Sequence, residues 1–85
     1  MSPATGSHAP ATIVDARGHR CPTPTLRLRR ALERAPQGGL VQLLADDPMA
    51  RIDVPHFVQG AGHSLESTRD GPEGLSFTVR KSSEV

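Results

Sequence analysis

"TIVDARGHRCPTPTLRLRRALERAPQGGLVQLLA", residues Thr12 to Ala45, is the stretch that decides the fold. It opens on β-branched Thr12–Asp15, which reads as a short strand. Between Pro22 and Ala35 the period changes. Leu28, Ala31, Leu32 and Ala35 recur at i, i+3, i+4 and i+7, one apolar stripe along a helix. "PQGG" at Pro36–Gly39 stops that helix. Leu40–Ala45 is a nearly continuous apolar run, as expected of an interior strand. A strand, a helix and a second strand in this order predict parallel pairing through a right-handed crossover.

The remaining residues predict the rest of the sheet. "DDP" at Asp46–Pro48 reads as a helix start, with an aspartate N-cap before a first-turn proline. Pro55 is expected to interrupt this helix, with Asp53 capping a second segment that carries Phe57, Val58 and Ala61. "GAG" at Gly60–Gly62 ends it. His63–Arg69 reads as a weaker strand around Leu65, and "DGPEG" at Asp70–Gly74 as a turn. Leu75, Phe77 and Val79 then alternate with Ser76, Thr78 and Arg80, a half-buried strand. The order is βαβαββ and the last two strands form a hairpin. The expected fold class is α+β: a two-layer α/β sandwich, with two helices on one face of a four-stranded mixed sheet.

Size and composition narrow the chemistry. The chain has 85 residues, enough for one small domain. Met1–Pro10, rich in Ser, Pro, Gly and Ala, reads as a disordered tail, and residues 11–82 as the folded domain. A domain of this size buries only about 60% of the surface that its unfolded chain exposes. That leaves little room for a large cofactor, so chemistry is expected on an exposed corner. The net charge of +1 names no partner. Its distribution says more: Arg17, Arg20, Arg27, Arg29, Arg30 and Arg34 crowd one stretch, with Glu33 the only acid among them. No apolar run approaches the roughly 18 residues of a membrane span, and the first residues have no signal-peptide pattern. The single cysteine cannot form an internal disulfide. The expected compartment is therefore a reducing cytoplasm.

That cysteine, Cys21, follows the first strand and Gly18 and stands at the entrance to the first helix. Pro22 and Pro24 fit a helix only in its first turn, where N–H groups have no intrahelical acceptor. They fix the backbone beside the thiol. A helix N-terminus favours a thiolate, and Arg17 and Arg20 add positive potential. An ordinary thiol of pKa ~8.5 is only ~3% thiolate at pH 7. The dipole's ~1 kcal/mol raises this to only ~14%. A persulfide is more acidic than its parent thiol, so these residues suit holding sulfur better than attacking a carbon centre. The competing reading of Cys21 is a small buried hydrophobe; its place between arginine and proline at a strand-to-helix junction argues against that.

"DARGHRCPTP" at Asp15–Pro24 resembles the D-x-R-G-x-x-C-P-x-P signature of the TusA/SirA-like family of small sulfur-carrier proteins. "ADDP" at Ala45–Pro48, "DVPHF" at Asp53–Phe57 and "GHSL" at Gly62–Leu65 stand in the order and spacing of that family's later segments. The resemblance runs from about Ile13 to Lys81 and no signature position is missing. It implies a βαβαββ sandwich. It also implies that Cys21 accepts sulfane sulfur as a persulfide, with Asp15, Arg17, Gly18, Pro22 and Pro24 supporting the site. No cofactor is implied beyond that covalent sulfur. The implied partners are a cysteine desulfurase or rhodanese-type donor and a downstream sulfur acceptor, the chain being a relay protein rather than a free-standing enzyme. The acceptor's pathway stays open between tRNA thiolation, molybdenum-cofactor maturation and other sulfur trafficking.

His8, His19, His56 and His63 match no zinc spacing with Cys21, so no metal is expected. There is no Cys-x-x-Cys for a self-contained dithiol cycle and no Gly-rich phosphate loop. Arg27, Arg29, Arg30 and Arg34 flank the apolar stripe, and Leu26 points away from it. With Arg20, the residues Leu26, Arg27 and Arg30 form a candidate docking face for acidic partner surfaces; the plainer reading is a solvated helix face. The rival function is a non-catalytic regulatory module, or an RNA- or protein-binding one. The only aromatic residues, Phe57 and Phe77, are expected in the core, which leaves no base-stacking platform and argues against direct nucleic-acid binding.

Overall fold

The computed structural model describes residues 12–20 and 23–82. The tail expected at residues 1–10, and with it Cys21 and Pro22, lies outside the described residues. The elements follow in the order β1 (Thr12–Asp15), α1 (Thr23–Arg34), β2 (Leu40–Ala45), α2 (Ala50–Gly60), β3 (Ser64–Gly71) and β4 (Gly74–Arg80). The strands form one sheet in the order β1-β2-β4-β3. β1 pairs with β2 in parallel, and the other pairs are antiparallel. This is the expected mixed, four-stranded α+β sandwich.

Alternation sets which face is covered. Val41, Leu43 and Ala45 of β2 and Leu75, Phe77 and Val79 of β4 point to the buried face, where each pairs with its register partner. α1 lays Pro24, Leu28 and Leu32 on that face, and α2 lays Ala50, Val54 and Val58. The i, i+4, i+8 spacing keeps each set on one side of its helix. Among the described residues the opposite sheet face carries no helix. There Gln42 donates from its side-chain amide to the Ser76 hydroxyl at 2.9 Å, a cross-strand pair at the sheet centre. Among the described residues no helix is long and apolar enough to cross a membrane.

The second helix starts at "DDP" as expected: Asp47 Oδ1 accepts the Met49 N–H at 3.0 Å and the Asp47 carbonyl accepts the Ala50 N–H at 2.9 Å, in a turn through Pro48 and Met49 that leads into the α-helical span from Ala50. One local expectation needs correction. Pro55 does not interrupt the helix, which runs unbroken from Ala50 to Gly60. Ala50, Val54 and Val58 form one buried row, and only a continuous helix places all three in the core. Packing of that row outweighs the hydrogen bond Pro55 cannot donate.

The hairpin is tighter than its sequence suggested. β3 extends to Gly71, which pairs directly with Gly74, leaving Pro72 and Glu73 as the turn. Gly74 has φ of 120°, and a Cβ there would stand 2.8 Å from the carbonyl oxygen of Ala45. Only glycine allows β4 to start this close to the end of β2.

Pro55→Ala should restore a backbone donor inside α2 without disturbing the buried row. We expect stabilisation of about 1–2 kcal/mol, after the loss of proline's restriction on the unfolded chain. Urea denaturation checks it; a midpoint at or below that of the wild type contradicts the packing account of α2.

Candidate functional site

Parallel pairing brings the C-terminal ends of β1 and β2, Asp15 and Ala45, to the same edge of the sheet. The segments that follow them, Ala16–Arg20 and Asp46–Met49, therefore meet. The β1–β2 ladder continues one step into the first segment, where the Ala16 N–H donates to the Leu44 carbonyl at 2.8 Å and Ala16 is fully buried. The chain then turns sharply. The His19 N–H donates to the Ala16 carbonyl at 3.2 Å, and Gly18 has φ of 87°. A positive φ at the third residue of a four-residue turn is the type II requirement, which explains the glycine between Arg17 and His19.

Two carboxylates hold this turn. Asp15 Oδ1 accepts the Arg17 backbone N–H at 3.1 Å and its Nε at 2.9 Å, while Oδ2 accepts the terminal guanidinium nitrogen at 2.8 Å. The fork geometry suits an arginine and not a lysine. Across the edge, both oxygens of Asp46 accept the Gly18 N–H at 3.0 Å. Asp46 thus fastens the turn after β1 to the segment before α2. The sequence carries its signal in "ADDP", but local pattern reads that segment only as a helix start. Its partner lies 28 residues away, across a parallel strand pair.

The expected site residues divide by location. Asp15, Arg17 and Gly18 come together in the turn. Pro24 is buried in the first turn of α1, on the stripe with Leu28 and Leu32. Cys21 and Pro22 lie outside the described residues, but their neighbours on both sides are placed: Arg20 is exposed, and its carbonyl accepts the Thr23 N–H at 2.9 Å. Leu26 is 54% exposed, and Arg27 and Arg30 beside it are exposed too. Gly18, His19, Arg20, Asp46, Pro48 and Met49 border an open cleft of about 570 Å³ next to the turn. Half-exposed Met49 gives it one apolar wall. Among the described residues no three His, Asp or Glu side chains converge as metal ligands do.

The Arg17 hydrogen bonds, from side chain and then backbone, hold the Asp15 carboxyl down to about 2, with the positive charges of Arg17 and Arg27 adding to the effect. Asp15 in turn raises Arg17 above its ordinary value. The carboxyl's depressed value means that its contribution to the folded state is fully present above its unfolded value of 3.8 and is lost as pH falls through about 2. Carboxyl chemical shifts should show an Asp15 midpoint near 2, and Arg17→Ala should move it up toward 3.8. An unchanged midpoint in the variant contradicts the assigned cause.

Residues 12–81 match the family model described as Sulfurtransferase TusA. The chain is 33% identical over 72 residues to the sulfur carrier protein TusA of Pseudomonas putida, covering 85% of this chain and 90% of that protein. It is 40% identical over 75 residues to a putative sulfur carrier protein of Archaeoglobus fulgidus, covering 85% and 95%. The crystal structure of a SirA-like protein from Desulfitobacterium hafniense superposes with a TM-score of 0.70 at 27% identity, covering 86% of this chain and 99% of that one. A match running from the first residue of β1 to the residue after β4, carried by sequence and by fold, places the chain in the TusA family of sulfur carrier proteins.

Proposed function

We propose that Cys21 carries sulfane sulfur as a persulfide between a donor and an acceptor protein. The observation that carries this reading is the family match across the whole domain, with the chain's one cysteine in the signature segment. The doubly held turn supports it, because the last residues before Cys21 are fixed in place and exposed. In the first transfer the Cys21 thiolate attacks the outer sulfur of the donor's persulfide. A new S–S bond forms, the donor's S–S bond breaks, and the donor cysteine leaves as a thiolate. The second transfer repeats this with an acceptor thiolate attacking the outer sulfur on Cys21. Each step moves one neutral sulfur atom and exchanges one S–S bond for another, so no external oxidant or reductant is consumed.

With no second cysteine in the chain, the loaded state has no internal thiol to resolve it. It persists until a partner attacks. Attack on the inner sulfur leaves a mixed disulfide and stops the relay, so the site serves best by exposing the outer sulfur and shielding the inner one beside Pro22. The donor is of cysteine-desulfurase or rhodanese type, the acceptor serves tRNA thiolation, molybdenum-cofactor maturation or another sulfur pathway, and the compartment is the cytoplasm. Arg20, Leu26, Arg27 and Arg30 form the face on which the partners dock.

Intact-mass measurement after incubation with a cysteine desulfurase and cysteine should show a gain of one sulfur, reversed by reductant and absent in Cys21→Ala. The variant should keep the fold of the wild type. A wild type that stays unmodified with several competent donors, or a variant that loads equally, overturns the carrier reading in favour of a regulatory or binding module. Charge reversal at Arg27 and Arg30 should slow loading, and added salt should mimic it, because steering acts on association. Loading rates indifferent to both leave these arginines as solvated surface.

A further inference from the structure

The two edges of the sheet are built differently. On one side, β3 is exposed along its length, bulged between Leu65 and Ser67, and lined with the charged residues Glu66, Arg69 and Asp70. A bulge and charges are devices that keep other strands from adding to an edge. On the other side β1 has no bulge, and Ile13 is 62% exposed. Because the Ala16 N–H bonds to β2, strand alternation turns the N–H and C=O groups of Val14 inward as well. The backbone groups of Ile13 and Asp15 then face outward, and no described residue bonds to them.

Above this free edge lies a groove of about 620 Å³ between β1 and the flank of α1. Its floor is apolar, with Val14 and Ala31, and Leu26 stands at one end. Its rim is Arg27, Arg30 and Arg34, none of which forms an ion pair with a described residue. Arg29, one residue away but off the groove, is satisfied by Glu33 at 3.5 Å. The unneutralised cations of α1 are therefore collected on the side that overlooks the open strand.

We propose that this groove binds an extended acidic segment of a partner protein, which pairs its backbone with Ile13 and Asp15 and its carboxylates with Arg27, Arg30 and Arg34. An added strand presents alternate side chains to opposite faces. Those on the helix side meet the arginines, so glutamate or aspartate fits there. Those on the bare side lie next to exposed Ile13, so apolar residues fit there. The spacing agrees: Arg30 and Arg34 are about 6 Å apart along a helix axis, and alternate residues of a strand are about 6.8 Å apart. The groove shares Arg27 and Arg30 with the docking face above and so deepens that reading. Its test needs no sulfur on Cys21, so failure of the groove and failure of the carrier appear in different data.

The probe is a short blocked peptide that alternates glutamate and valine, titrated into the ¹⁵N-labelled full chain at low salt. Saturable shifts of the Ile13 and Asp15 amides are expected, with slowed hydrogen exchange at both. Arg30→Glu with Arg34→Glu should weaken binding about tenfold or more while the spectrum stays that of the folded domain. The same peptide methylated at alternate amide nitrogens, with its side chains intact, should not bind. No saturable shift, equal binding of the methylated peptide, or equal binding of a lysine–valine peptide each overturns the proposal. Two results with no peptide present also overturn it: Ile13 and Asp15 amides that shift with protein concentration, which gives the edge to a second copy, or amides already protected in the monomer, which gives it to the chain's own residues.

Discussion

The bond from the Gly18 N–H to the Asp46 carboxylate joins the two segments that leave the same edge of the sheet. Without it, the hydrogen bonds that hold the turn after β1 among the described residues come from its own neighbours, Asp15 and Ala16. With it, the turn is tied to the segment that leads into α2, and through Ala50 to the core. The type II conformation at Gly18 points that N–H outward, and parallel pairing of β1 with β2 brings Asp46 to meet it. Topology, turn type and carboxylate are thus one constraint. Its effect is to fix the chain just ahead of Cys21 while leaving Arg17, Gly18, His19 and Arg20 exposed. A carrier that must be reached by two different partners needs both properties. A pre-set position lowers the ordering cost of each encounter, and an open one admits each partner.

The sandwich has one covered and one bare sheet face, and its charge follows a second asymmetry. α1 buries Pro24, Leu28 and Leu32, which turns its arginines outward along one flank. At the far end of the helix, Lys81 Nζ donates to the carbonyl of Ala35 at 2.8 Å, a cation placed where the helix dipole is negative. Arg51 and Asp70 pair across α2 and β3, and Arg80 pairs with Glu66 at 3.2 Å, so of the three arginines on the β3 side Arg69 alone has no ion pair among the described residues. On the β1 side Arg27, Arg30 and Arg34 all have none among the described residues. The positive potential of this nearly neutral chain is therefore concentrated around the entrance to α1 and the groove beside it.

Most of the architecture was legible because periodicity and burial agreed. Leu28 with Leu32, and Leu75 with Phe77 and Val79, each lie on the face their spacing predicts, and Leu26 points away as its position on the helix requires. Where sequence reading failed, a tertiary term had overridden a local one. Pro55 has the local signature of a helix break, yet the buried row of Ala50, Val54 and Val58 keeps α2 whole. Asp46 reads locally only as part of a helix start, yet a donor brought in by the parallel strand pair claims it. The signature turn was legible as a set of residues, Asp15, Arg17 and Gly18, but not as a geometry. Nothing in the spacing indicates that one aspartate binds the arginine and another, distant in sequence, binds the glycine.

The most direct test of the link between the held turn and sulfur transfer is single-turnover loading of Asp46→Ala, followed by rapid quench and mass measurement beside the wild type. Loss of one charge-assisted hydrogen bond at an exposed site should leave the domain folded, with Gly18 amide exchange faster and sulfur acceptance slowed about tenfold. Acceptance at the wild-type rate, with the Gly18 amide demonstrably released, would contradict the link and leave the Asp46 contact as a matter of stability alone.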